Sequence, residues 1–482
     1  MLALVIVLLP FIFAGLIFLA GANLSRTLAL AGGISQLILT LVCVVIFKQG
    51  DANHLLSFEQ DWIGPLGMSY NFSLDGTSLV VSLLTGLVLP LVIYSSFNKT
   101  FKNPHIFYGL LLLMAGAMQG AFTTSDGLFF YIFYEFALIP IYFIILIWGS
   151  GEERAKVTLK FFLYTLFGSL FMLISLLYVY QQAGSFRLDR LYSAGQAMSG
   201  IEQAWVFAGF FIAFAVKIPI FPLHTWQPST YDAAPTAGTM MLGGIMLKMA
   251  TFGLIRLVLP MVPVGVADYG SWALGLCAIS VVYASLMALY QKRYKLLIAY
   301  SSVAHVGLLA AGILSNNAQG IQGGLFEMVS HGILTVGMFF VYDIIESRLG
   351  HDDMKKMGGI RDVNPTFAFL FFALVMGSVA LPITSGFVGE FLLLVGLNQY
   401  STALVVVGGL TVVLGAVYML RSFQTMMLGP SNASTASFSP LTTHEKTVLV
   451  IIVILVLGLG IYPALLLDLS EPAVQNILLG IF

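Results

Sequence analysis

Charge is what this sequence has least of. Only 9% of its 482 residues are Asp, Glu, Lys or Arg, while 59% are hydrophobic and mean hydropathy is +0.96. A soluble chain of this length needs more charge to cover its surface, so a polytopic membrane protein is implied. Net charge is −1, which offers no basic surplus for nucleic acid. Two cysteines, Cys43 and Cys277, sit far apart in apolar runs. They supply neither a disulfide framework nor a thiolate cluster for iron–sulfur. No Gly-rich nucleotide fingerprint is present, so any redox chemistry belongs to another polypeptide. The opening MLALVIVLLPFIFAGLIFLAG has no basic n-region and reads as a retained first span rather than a cleaved signal. No soluble domain interrupts the apolar runs; the longest polar stretch is the loop after Lys48.

What is there is a series of apolar segments, each near the ~20 residues a helix needs to cross the hydrocarbon. Fourteen are expected, near 2–20, 28–47, 77–97, 105–123, 127–148, 158–180, 204–222, 236–260, 270–290, 296–315, 321–347, 366–395, 401–425 and 447–467. With that count, fifteen of the 21 basic residues fall in loops on one side. They include Arg26, Lys99, Lys156, Lys292, Lys355 and Lys446. Lys48, Arg187 and Arg190 fall on the other side, and Lys217, Lys248 and Arg256 lie within spans. One miscounted helix would spoil this bias, which follows the positive-inside rule and puts both termini outside, in the periplasm of a bacterial inner membrane.

Six ionisable residues stand where lipid should be: Glu135, Lys217, Lys248, His305, His331 and Glu390. A charge at the bilayer centre costs ~3 kcal/mol or more on insertion scales. One such residue is an accident; six on separate stretches argue for a polar path through a helix bundle. The chemistry suits protons. Desolvation favours the neutral amine of a lysine, and a nearby carboxylate favours the ammonium, so a Glu–Lys pair is a switch. Histidine titrates near neutrality and passes protons at either ring nitrogen. Metal binding is disfavoured, because the two deep histidines lie on different helices with no third ligand at recognisable spacing.

Two spans are broken. In AVKIPIFPLHTW, Pro219 and Pro222 follow Lys217; in ALPITSGFVGEF, Pro382 precedes Ser385, Gly386 and Glu390. Interrupted spans in corresponding positions of two halves point to inverted repeats with a midplane ion site. The expected architecture is all-α: a single transmembrane domain of two inverted five-helix repeats, spans 4–8 and 9–13, with helices 7 and 12 broken. Residues 1–104 then hold the first three spans, 105–260 the first repeat, 261–425 the second and 426–482 the last span. The amides and carbonyls freed at each break invite water.

These residues resemble the antiporter-like subunits of proton-pumping NADH–quinone oxidoreductase, respiratory complex I. The resemblance is carried by SLDGTSLVVSLLTG at Asp75, FYEFALIPIYFII at Glu135, AVKIPIFPLHTWQP at Lys217, APTAGTMMLGGIMLKMATFGLIR at Lys248, RYKLLIAYSSVAHVG at His305 and LPITSGFVGEF at Glu390. It runs from the third span to the thirteenth. It implies that Glu135 pairs with Lys217 and senses a neighbouring subunit, and that Lys217 carries the proton in the first half. Lys248 is then the central connector, His305 and His331 are polar stations, and Glu390 is the terminal carrier. His224 and Asp75 are possible accessory residues. Glutamate rather than lysine at position 390 favours the M-type branch. So does the chain ending soon after span fourteen, without the lateral helix of the L-type. The resemblance further implies no cofactor in this chain, with FMN, iron–sulfur clusters and quinone in partner subunits. The implied partners are the other membrane-arm subunits, L-type and N-type neighbours included, together with the lipid bilayer.

Two positions depart from the family pattern. Ile383 stands where many relatives have glycine after Leu-Pro, so a backbone different from theirs is expected at the break. Tyr231 stands where histidine is common, which removes the support for a borrowed inner-side uptake role in that loop. The same fold also serves multisubunit Na⁺/H⁺ antiporters and membrane-bound hydrogenases, and a non-pumping spacer is a further alternative. A bare scaffold has no reason to keep four buried charges.

Overall fold

The computed structural model describes residues 1–50, 54–64 and 67–481. Residues 51–53 of the polar loop after Lys48 lie outside the described residues. Thirteen helices in it are long and apolar enough to cross a membrane. The first three are Leu2–Ala20, Ser25–Lys48 and Gly76–Asn98. Pro104–Thr123, Gly127–Trp148 and Arg154–Ala183 follow, and Gly200–Lys217 begins the seventh. Thr236–Met261, Pro263–Tyr290, Tyr294–Leu314 and Ala318–Leu349 are the eighth to eleventh; Thr402–Met427 and Thr443–Ile461 are the thirteenth and fourteenth. The twelfth is two shorter helices, Pro365–Ser378 and Ser385–Tyr400. The expected count of fourteen is met.

Caps set the starts of several spans. Asp75 accepts from Ser78 N at 2.8 Å and opens the third. Asp126 accepts from Leu128 N and Phe129 N and opens the fifth. Ser199 with Glu202, and Thr442 with Glu445, form capping boxes at the seventh and fourteenth. In each case a side chain occupies an end amide that lipid cannot satisfy.

Burial sorts the spans. The third, eighth, tenth and eleventh are almost wholly enclosed by protein, whereas the first, sixth and thirteenth expose one apolar face. Lys248, His305 and His331 therefore ride on interior helices, where polar groups meet protein rather than lipid.

Two features add to the all-helical expectation. β1 (Ser57–Ile63) and β2 (Met68–Ser73) form an antiparallel hairpin between the second and third spans, with Phe58 opposite Phe72 and a bulge between Asp61 and Ile63. The Met1 amine donates to Leu55 O and Ser57 O, so the N-terminus lies on the hairpin's side of the bundle. A further helix, Ala464–Leu479, follows the fourteenth span and packs against the third.

Both breaks fall beside prolines, as the sequence implies. The seventh span stops at Lys217 and resumes as a short helix, Gln227–Ala233; Trp226 Nε1 donates to Val216 O at 2.8 Å across the gap. Lys217 is thus the last helical residue before the break, not a residue inside a continuous span. The twelfth stops at Ser378, and Thr384 Oγ1 donates to Leu381 O at 2.6 Å within its gap. Ile383 holds φ 76° there, the left-handed region in which glycine is favoured.

Candidate functional site

The eighth span carries two π-helical turns, Leu242–Met246 and Leu254–Val258, on either side of Lys248. In the first, Leu247 N donates to Leu242 O, which leaves the Gly243 carbonyl without its usual amide. Lys248 Nζ takes that carbonyl at 2.5 Å. The bulge thus supplies a ligand for a buried ammonium from the helix's own backbone. Lys248 Nζ also meets His331 Nδ1 of the eleventh span at 2.8 Å. Close backbone approach makes this possible: a Cβ on Gly332 would lie 2.7 Å from Gly244 O.

From His331 the path turns into the second half. The His331 and His305 ring centroids are 6.0 Å apart, and His305 Nδ1 lies 2.9 Å from Glu390 Oε1. A cavity of about 20 Å³, lined by His305, His331, Glu390, Ser301, Ser302 and Thr335 among others, sits between them. That volume suffices for about one water. Ser301 Oγ reaches Tyr418 OH at 3.0 Å, and Ser330 Oγ donates to Ser385 Oγ at 3.0 Å. Four of the six expected residues therefore share one connected polar group.

Glu135 and Lys217 form a second group. The ion pair expected between them is not closed. Lys217 Nζ donates to Tyr134 O at 2.9 Å and stands 3.4 Å from the centre of the Tyr134 ring. The ring face and the carbonyl together hold the ammonium while Glu135, one residue on, acts on it through space. Glu135 is half-buried and leaves Oε1 without a hydrogen-bond partner. The helix is interrupted at Ala137, two residues after Glu135, and Pro140 has no amide for the Phe136 carbonyl. Phe214 packs against Tyr134 and fills the space beside Gly253 of the eighth span. Among the described residues no direct hydrogen bond joins Lys217 to Lys248.

The accessory residues lie elsewhere. His224 stacks on Phe221 and lies edge-on to Tyr283, away from both groups. Asp75 pairs with Arg256 and accepts from Thr77 Oγ1 at 2.7 Å, tying the third span to the hairpin-side end of the eighth. That arrangement is a clamp rather than a proton station.

Sequence reasoning passed over four contributors. Tyr134 supplies ring and carbonyl to Lys217. Tyr231 is buried on the short helix Gln227–Ala233, edge-on to Phe339 of the eleventh span, and its hydroxyl has no hydrogen-bond partner. Lys295 is buried and donates to Asp232 O and Ala234 O near 3.0 Å. Glu327, 2% exposed, completes a trio with His305 and Glu390 whose ligand atoms lie within 4.8 Å of one another. The third acidic group that spacing did not reveal is thus four residues before His331. The signal was the helical i, i+4 relation in EMVSH.

A bundle of fourteen spans with two broken helices and a buried Lys–His–His–Glu chain defines an ion-translocating membrane subunit. Residues 124–417 match the family described as NADH:quinone oxidoreductase/Mrp antiporter, transmembrane, and the chain belongs to that family. NADH-quinone oxidoreductase subunit M of Rickettsia conorii is 35% identical over 451 residues, 93% of this chain and 91% of that one. The subunit M of Rhodobacter capsulatus is 36% identical over 465 residues, 94% and 90% of the two chains. Among solved structures, a chain of respiratory complex I from Thermus thermophilus with bound NADH superposes with TM-score 0.91 at 29% identity over the full length of both. A chain of the Mrp complex from Dietzia sp. DQ12-45-1b superposes with TM-score 0.88 at 20% identity, covering 98% of this chain and 97% of that one, which shows shared fold alone.

Proposed function

We propose that this chain is the M-type membrane-arm subunit of NADH–quinone oxidoreductase and moves protons across the membrane through its own buried side chains. Electron transfer takes place in partner subunits, where FMN, iron–sulfur clusters and quinone belong. The observation that carries the reading is the contact chain Lys248–His331–His305–Glu390 on enclosed helices. Each neighbour differs in proton affinity by type, and each is near enough for transfer directly or through one water.

The proton's course follows from the contacts. Lys217 receives or releases a proton according to the charge on Glu135, whose half-buried carboxyl faces a neighbouring antiporter-like subunit of L- or N-type. Lys248 takes the central position, held by the Gly243 carbonyl freed at the π turn. His331 accepts from it at Nδ1, His305 follows across the cavity, and Glu390 releases toward the outer side. The two broken spans are corresponding members of inverted five-helix units, residues 105–260 and 261–425, and both termini face the periplasm.

The test is Lys248→Ala in the assembled complex. Proton translocation in proteoliposomes is expected to fall by about tenfold or more, the scale of removing one proton-transferring group. NADH oxidation by a soluble electron acceptor should stay near wild type. Pumping at the wild-type rate would remove the assignment.

A further inference from the structure

Glu327 has no part in the path just described. It lies one helical turn before His331 on the eleventh span, and its Oε2 has no hydrogen-bond partner. Space is made for it: a Cβ at Gly389 of the twelfth span would lie 2.2 Å from that oxygen. Its carboxyl lines the same cavity as His305, His331 and Glu390, and it is the carboxylate acting through space on Lys248.

Charge limits what such a site can hold. Two carboxylates enclosed together with one ammonium leave one negative charge uncompensated, and an isolated buried charge is expensive enough that the group neutralises instead. One more positive charge is required, and one proton supplies it. A divalent ion would overshoot by one charge. It would also have to displace the 2.9 Å contact between His305 Nδ1 and Glu390 Oε1.

We infer that Glu327 is a proton-holding residue of the central relay. It shares one proton with Glu390 and serves Lys248 as Glu135 serves Lys217. This rests on the proton-translocating reading above. The step is a pure proton transfer. The N–H bond at Lys248 Nζ breaks as one forms at His331 Nδ1, and a proton passes by way of His305 to a carboxylate oxygen of the Glu327–Glu390 pair. While Glu327 is charged, Lys248 keeps its proton; once Glu327 is protonated, Lys248 is free to release. The groups that face Glu327 are Ser330 and His331 on its own helix, Lys248 on the eighth span, His305 on the tenth, and Ser385 and Glu390 on the twelfth. Lys217 and Lys248 then each have a carboxylate of their own, on another helix.

The experiment compares Glu327→Gln, Lys248→Ala and Glu390→Gln in the assembled, reconstituted complex. Proton translocation per NADH is read together with the protonated-carboxyl stretch in infrared difference spectra. Glu327→Gln is expected to lower translocation by about tenfold or more and to remove a carboxyl band that wild type shows. If Glu327→Gln pumps normally and keeps every band while the other two variants fail, Glu327 is only a packing residue and the inference is overturned, although the relay stands. If Lys248→Ala and Glu390→Gln also pump normally, the relay itself is wrong. Should the glutamine variant fail to assemble, Glu327→Asp keeps an acid at the site and is expected to shift the pH profile of pumping; an unchanged profile overturns the inference.

Discussion

At the scale of single residues, Lys217 and Ile383 show how chemistry and backbone share one device. Lys217 is held by a carbonyl and an aromatic face, with Glu135 one residue beyond its ligand. Cation–π contact is worth ~2 kcal/mol when desolvated, less than an ammonium loses on leaving water, so the lysine depends on Glu135 for its charge. Lys217→Ala is therefore expected to abolish most coupled quinone reduction and pumping with assembly intact, and Glu135→Gln to do nearly the same. Lys217→Arg, which keeps a charge but cannot shed it, should fail as well. Activity in the arginine variant would mean that position 217 needs charge and not proton exchange. Ile383 tests the backbone. A β-branched residue at φ 76° is disfavoured by roughly 1–2 kcal/mol relative to right-handed conformations, and its side chain is largely exposed. Ile383→Gly should raise the midpoint of thermal dissociation of the complex, since the relieved strain exceeds the ~0.5–1 kcal/mol that glycine's added freedom costs. A lower midpoint would show that Ile383 is held by contacts with a partner.

At the scale of elements, Asp75 separates a structural role from a catalytic one. The sequence marks it as a possible accessory site. In the structure it caps the third span, accepts from Thr77 and pairs with Arg256 at the hairpin-side end of the eighth. Asp75→Ala removes a cap worth ~1 kcal/mol and leaves a half-enclosed guanidinium without its partner, for a combined loss of roughly 2–4 kcal/mol. The expected result is lower yield and thermal stability of the complex, with translocation per NADH unchanged in the fraction that assembles. A lower ratio in that fraction would place Asp75 in the proton path after all. How far elements were legible follows the same division. Hydropathy gave the spans, because a twenty-residue apolar run has few other uses. Proline gave both breaks. The π turns around Lys248 were not legible, since nothing in LGGIMLK distinguishes a bulge from an ordinary turn until the helix is packed against Thr335 and Val336. The hairpin was hidden by its polar, weakly alternating strands. Glu327 was legible in principle through its spacing to His331, and was obscured because one more acid in an apolar run has no meaning until Glu390 is seen beside it.

At the scale of the whole molecule, the direction of transport depends on which face of the bundle meets which compartment. One face gathers the Met1 amine, the hairpin, Asp75, Asp126 and Arg187. The opposite face gathers Lys99 with Asp343, Arg293 with Asp232 and Asp352, and Arg348 with Glu445. The positive-inside rule predicts that the second face is cytoplasmic, and the proposed direction of the proton route from Lys248 toward Glu390 rests on that prediction. The two native cysteines, both fully buried, leave little background for a thiol reagent. Arg190→Cys and Lys355→Cys place single exposed thiols on opposite faces. A membrane-impermeant maleimide should label Arg190→Cys in spheroplasts and not in inverted vesicles, with the affinity-purified subunit read by mass shift. Lys355→Cys should show the reverse. Labelling in the opposite sense would invert the molecule in the membrane. The contact chain from Lys248 to Glu390 would survive, but its outlet would then face the compartment from which protons are drawn, and the chain could serve only as an uptake path.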